Sequence, residues 1–193
     1  MQFIGDFSID PVICDRLVEL HRACDRQGLV KAGRMYPAGQ GSASVDAKKK
    51  DSLDVAVGDI PNELQDEYGV PLYIRELQRC THEYLERYRH LQVAKFGVTE
   101  SPVIQHYRPG GGFKAEHFER SNIATATRML VWMTFLNDVT DGGGTRFVYQ
   151  DRTFDAVRGR TLIWPTDFTH THVGVVSPTQ HKYIITGWFN FAA

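Results

Sequence analysis

The chain has 193 residues, 42% hydrophobic and 23% charged, which suits one soluble domain with a substantial core. A formal net charge of -1 argues against a strong electrostatic grip on nucleic acid or anionic lipid. Cys14, Cys24 and Cys80 form no CxxC pair and leave an odd count, so neither a disulfide framework nor a structural zinc site is expected.

The N-terminal stretch MQFIGDFSID lacks a basic region followed by an apolar one, so no signal peptide is read there. No apolar run approaches the roughly 18 residues of a membrane span. A cytoplasmic location, with no membrane and no nucleic-acid partner, is the expectation. Asp10-Pro11 then reads as an N-cap with proline at the first helical position. Ile13, Leu17, Leu20 and Cys24 recur at helical spacing, and Gly28 is a stop. Residues 37–46, PAGQGSASVD, are small and polar and predict a loop. The run Lys48-Lys49-Lys50, flanked by Asp46 and Asp51, reads as solvated. Residues 52–57 predict a short strand. A second helical region begins near Pro61 and is interrupted at Gly69-Val70-Pro71. Tyr73, Leu77, Cys80, Tyr84, Tyr88 and Leu91 then form an amphipathic stripe.

After about residue 100 the character changes. VIQHYR, RMLVWMTFLN, TRFVYQ, RTLIWP and KYIITGWFNF are strand-like runs separated by Gly, Asp and Pro, with Asp141-Gly142-Gly143-Gly144 a turn. A helical first half and a β-rich second half predict a sheet sandwich or barrel with helices on one side.

Most of the eight histidines are expected at the surface, but three stand in suggestive positions. KAEHFERSN places His117 and Glu119 two residues apart, and FTHTHVGVV does the same for His170 and His172. On a strand, such pairs face one way. Two His and one carboxylate make the facial triad of non-haem Fe(II) sites, and the same ligands also suit tetrahedral zinc. In KYIITGWFNF, alternation puts Lys182, Ile184, Thr186, Trp188 and Asn190 on one face and Tyr183, Ile185, Gly187 and Phe189 on the other. Facing outward, Lys182 is an ordinary strand-end lysine. Facing inward, it demands an anion, which a dicarboxylate ligand would supply.

These segments, in this order, resemble the Fe(II)- and 2-oxoglutarate-dependent dioxygenases, most closely the prolyl 4-hydroxylase-like branch. IQHYRPGGGFKAEHFE resembles that branch's Tyr-bearing strand, glycine turn and His-x-Asp motif. RMLVWMTFLNDVTDGGGTRF resembles its Arg-led strand and Gly-Gly-x-Thr-x-Phe turn. GRTLIWP, HVGVV and KYIITGW resemble its closing strands. The family's distal His precedes its lysine by ten residues, which selects His172 over His170 as the partner of Lys182. The match covers roughly residues 103 to 190.

The resemblance implies an α+β fold: a double-stranded β-helix (jelly-roll) core over 101–193, with residues 1–100 giving mainly helical support and a substrate-side loop, in one dioxygenase domain. It implies iron ligation by His117, Glu119 and His172. Lys182 would pair with the distal carboxylate of 2-oxoglutarate, and Tyr107 would hydrogen-bond it. Thr145 and Trp188 would line the cosubstrate pocket, Arg128 would face substrate, and His170 would be a neighbour. The cofactor set is Fe(II), 2-oxoglutarate and O2. The reaction would be hydroxylation of a prolyl residue in a peptide, or of a free amino acid or other small molecule, coupled to formation of succinate and CO2. Glu119 departs from the family's usual Asp by one methylene. A zinc hydrolase would leave Lys182 without a use, and a metal-free jelly-roll binding module would find its one hint in Glu119.

Overall fold

The computed structural model describes residues 3–36 and 42–192. Its first strand, β1 (Gly5–Ser8), leads into α1 (Pro11–Arg26). The Asp10 side chain accepts from Val12 N at 2.9 Å, capping the helix, and Gly28 follows its end with φ +71°. Two short strands, β2 (Lys31–Ala32) and β3 (Lys50–Asp51), precede β4 (Leu53–Ala56), the strand expected over 52–57. The second helical region is split as its glycine implies: α2 (Asn62–Glu67) stops before Gly69, at φ +79°, and α3 (Val70–Arg87) follows. The predicted stripe is buried from Tyr73 to Tyr84, whereas Tyr88 and Leu91 pack from beyond the helix end.

The β-rich half begins with β5 (Phe96–Gly97), β6 (Val103–Tyr107) and β7 (Gly112–Phe113). It continues through β8 (Arg128–Phe135), β9 (Thr145–Phe147), β10 (Arg152–Phe154) and β11 (Arg160–Pro165), then β12 (His172–Gly174) and β13 (Lys182–Phe191). The main antiparallel sheet runs β1-β11-β8-β13-β6-β4-β2, with β5 also on β13. A smaller sheet runs β10-β9-β12, and β3 pairs β7. In TRFVYQ only Thr145–Phe147 is strand; the chain then turns.

The main sheet separates two cores. On one face α1 and α3 bury Leu17, Leu20, Tyr73 and Leu77 against Ile104, Trp132, Ile163, Ile185 and Phe189. On the other, Val131, Phe135, Leu162, Trp164 and Ile184 meet Phe147 and Phe154 of the smaller sheet. The alternation read in KYIITGWFNF is therefore observed: Tyr183, Ile185 and Phe189 serve the helical core, while Lys182, Ile184, Thr186 and Trp188 face the opposite side. All three cysteines are free and buried. Among the described residues no helix is long and apolar enough to cross a membrane.

Two expectations need correction. His117 is not in a regular strand; a single antiparallel bridge joins it to His172. Lys50, read as solvated with its run, is instead 4% exposed, its Nζ 2.6 Å from Asp54 Oδ2; His21, on the inward stripe of α1, is 1% exposed with its Nε2 3.0 Å from the Leu53 carbonyl. The loop expected over 37–46 falls partly outside the described residues; within it Ser44 bridges to Met35. β3 pairs β7, and β4 lies between β6 and β2 in the main sheet.

Candidate metal centre and cosubstrate pocket

Backbone pairing brings the two distant segments together. His117 N donates to the His172 carbonyl at 3.0 Å and His172 N returns the bond at 2.9 Å. Two residues on, Glu119 N and Arg120 N both donate to Thr166 O at 3.1 Å, and Arg120 forks onto Asp167 at 2.6–3.0 Å. The segment is thus anchored on both sides of Glu119 without being a strand.

The side chains converge. Glu119 Oε1 lies 3.5 Å from His117 Nε2 and 3.4 Å from His172 Nε2. A first-row divalent ion held at about 2.1 Å spaces adjacent donors about 3.0–3.4 Å apart in octahedral or tetrahedral geometry. Each imidazole is fixed from behind: Nδ1 of His117 meets Ala115 O at 2.9 Å, and Nδ1 of His172 meets His170 O at 2.9 Å. A proton held on Nδ1 leaves the Nε2 lone pair facing the centre, the tautomer a metal requires. The Phe113 ring stacks on His117 with centroids 3.6 Å apart, and Trp164 meets His172 edge-on at 5.1 Å.

The charge states agree with this donor set. Burial, then the neighbouring His172, pushes the His117 pKa down. Burial alone would raise Glu119, but the influence of the two neighbouring histidines outweighs it and holds the carboxyl well below the usual carboxylate range. A neutral imidazole beside an ionised carboxylate is the form that binds a cation. Among the described residues this is the one cluster of His, Cys, Asp and Glu with such geometry.

These ligands open into a cavity of about 440 Å³, and Lys182 points into it. Lys182 is 5% exposed, and among the described residues no carboxylate pairs with it. Burial lowers its pKa to about 8. Its inward orientation settles the alternative left by spacing. Tyr107, its register partner on β6, places its ring centre 4.7 Å from Nζ. Gly174 keeps the space beside the ammonium open; a Cβ there would stand 3.8 Å from Nζ and 3.1 Å from Phe113 O. An unpaired buried ammonium beside open space is the requirement of an anionic ligand.

The remaining predicted residues also line this cavity. Thr145 is buried, its hydroxyl 3.9 Å from Met133 Sδ. Trp188 donates its indole N–H to Glu119 Oε2 at 2.9 Å. Arg128 stacks on Trp188 at 3.7 Å but also forks onto Glu100 at 2.8 and 2.5 Å, a pairing absent from the expectation. His170 is 4% exposed and contributes its carbonyl to His172.

Sequence reasoning missed Glu100, Gln105 and Phe113. Alternation in VIQHY puts Gln105 on the face of Tyr107, whose hydroxyl donates to it at 2.6 Å, so Gln105 could have been found. Glu100 carried no local signal. Arg34, Met35 and Tyr36 also line the cavity.

Comparison with known proteins follows this geometry. Residues 102–190 match the model of the 2OG-Fe(II) oxygenase superfamily. No curated protein sequence matches the chain. Among solved structures, a viral collagen prolyl hydroxylase from Paramecium Bursaria Chlorella virus-1 is similar at 17% identity and TM-score 0.66, over 98% of this chain and 97% of that one. A Pseudomonas putida prolyl-4-hydroxylase is similar at 15% and 0.68, over 100% and 95%. A Trichoplax adhaerens prolyl hydroxylase, solved with a hypoxia inducible factor peptide fragment, is similar at 15% and 0.70, over 97% and 84%. At these identities the structural likeness is one of fold. The superfamily match spans the three converging side chains and Lys182, and over nearly the whole chain the fold is similar to that of these prolyl hydroxylases.

Proposed function

We propose that this protein is a 2-oxoglutarate-dependent Fe(II) dioxygenase that hydroxylates an aliphatic C–H bond of a prolyl residue in a peptide or protein. The observation that carries the reading is the buried, unpaired Lys182 in the same cavity as the His117–Glu119–His172 cluster. In this reading the sheets form a jelly-roll, and the whole chain acts as one domain whose first hundred residues support it and furnish the substrate side.

His117, Glu119 and His172 would hold Fe(II) on one face. Lys182 would receive the distal carboxylate of 2-oxoglutarate, beside Tyr107, with Thr145 and Trp188 along the pocket wall. Fe(II) and 2-oxoglutarate supply the oxidising chemistry: O2 converts 2-oxoglutarate to succinate and CO2, and its second oxygen atom turns substrate C–H into C–OH. The apolar walls, among them Met133, Trp164 and Ile184, would exclude bulk water. Arg128 would stand on the substrate side of the metal. A peptidyl substrate is supported by the peptide fragment in complex with the Trichoplax enzyme.

Succinate release measured with a panel of prolyl peptides tests this. A proline-containing peptide should stimulate turnover and gain one oxygen atom by mass. Stimulation by free amino acids with none by any peptide would replace the prolyl reading with a small-molecule one.

A further inference from the structure

The extra methylene of Glu119 raises a geometric problem. Its carboxylate must be folded back, and only one oxygen can serve as ligand if a facial triad is to keep its other positions open. The two oxygens have separate surroundings. Oε1 faces both histidine Nε2 atoms. Oε2 faces away, accepts the Trp188 indole N–H at 2.9 Å, and lies 3.6 Å from Arg128 Nη1. Arg128 is itself fixed. It lies 3.7 Å over the Trp188 ring, donates to the Glu119 carbonyl at 3.3 Å, and is held by Glu100 through two hydrogen bonds. Arg128 is 4% exposed, so this charge is held by protein groups rather than by water.

We propose that Trp188, and Arg128 held by Glu100, are positioning residues that clamp the outer oxygen of Glu119 and leave Oε1 as its single metal-ligating atom. This rests on the reading of Glu119 as a ligand. The clamp takes up the added length of glutamate: the shorter carboxylate of aspartate on the same backbone would not reach both the metal and the indole N–H. It gives Glu100, far from the metal in sequence, a role in setting the metal site. Partners of metal ligands typically contribute about 10- to 100-fold in metal affinity.

The test is a double-mutant cycle on Mn(II) affinity of the metal-free protein, read by calorimetry, together with the d–d spectrum of the Co(II)-loaded protein. Trp188→Phe should weaken Mn(II) binding about tenfold and change the Co(II) spectrum. In the Glu119→Asp background the same substitution should change affinity less than about twofold, because the partner oxygen is no longer in reach. Glu100→Gln, which leaves the pocket's aromatic wall in place, should produce a smaller loss of the same sign and serves if Trp188→Phe fails to fold. Equal losses from Trp188→Phe in both backgrounds, or unchanged affinity in Trp188→Phe and Glu100→Gln alike, would overturn the clamp while leaving the metal site standing. Wild-type protein that binds neither Mn(II) nor Co(II) would overturn the ligand reading and the clamp with it.

Discussion

Lys182 and Tyr107 are register partners on adjacent strands, and the ammonium sits 4.7 Å from the centre of the phenol ring inside a cavity where no carboxylate among the described residues meets it. The ring attracts the cation, but a ring is a weak substitute for a counter-ion at a buried site. The missing negative charge is the strongest electrostatic statement the cavity makes.

Removing this cation should therefore be a cosubstrate defect. Lys182→Ala is expected to raise the 2-oxoglutarate concentration needed for half-saturation by about 10- to 100-fold, the worth of one charge-assisted bond. Metal affinity should stay within about twofold, since Lys182 does not touch the ligands. Titrating each ligand separately distinguishes the cases; loss of metal with cosubstrate binding intact would contradict the assignment.

The same lysine makes cosubstrate binding pH-dependent. Its pKa in the ligand-free protein is lowered to about 8 by burial. The bound dianion favours the protonated form, so affinity should be flat below about pH 7.5 and weaken as pH rises through 8. The slope should approach about tenfold per pH unit until the lysine's contribution is spent. Lys182→Arg, which stays charged, should flatten the profile if it binds. An unchanged profile in that variant would assign the dependence to another group.

Gly187 is required by Trp132. A Cβ at position 187 would fall 2.4 Å from Trp132 Cζ2, and Trp132 is fully buried between the sheet and α3. Gly187→Ala should destabilise the fold by about 1–3 kcal/mol through overpacking, seen as a lower urea midpoint. A neutral effect would mean that the indole has room to shift.

Acid should weaken the fold through His106. Burial, and then the charge of His21, lowers its pKa from 6.5 to about 4, and the ring stacks on Tyr183 with centroids 4.2 Å apart. The unfolded chain binds this proton more readily than the folded one. Stability is thus full above about pH 6.5 and is lost progressively as pH falls toward 4. His21, also lowered by burial, adds in the same direction. His106→Gln should show a shallower decline in denaturation midpoint between pH 7 and 4.5 than wild type. Parallel declines would place the loss elsewhere.

How much of this was legible depended on whether the signal was local. The stripes of α1 and α3 and the runs forming β6, β8, β11 and β13 are periodic, so their elements and inward faces could be read directly. The pair spacings exposed His117, Glu119 and His172 as candidates, although the bridge that aligns them is a long-range backbone contact. β1 was missed because four residues carry too short a pattern, and its strand state is imposed by pairing with β11. Glu100 was missed because its meaning lies entirely in Arg128, 28 residues away. The burial of His21 could not be read because a lone polar residue on an apolar stripe gives no hint of the carbonyl that satisfies it.

The central claim is that His117, Glu119 and His172 form one Fe(II) site that 2-oxoglutarate enters. Anaerobic addition of Fe(II) and 2-oxoglutarate, followed by absorption spectroscopy, tests it without knowledge of the substrate. The wild-type protein should develop the weak visible charge-transfer band of the chelate, and His172→Ala and Glu119→Ala should each lose it while remaining folded. A wild-type protein with no band, and no protection from unfolding by either ligand, would contradict the account.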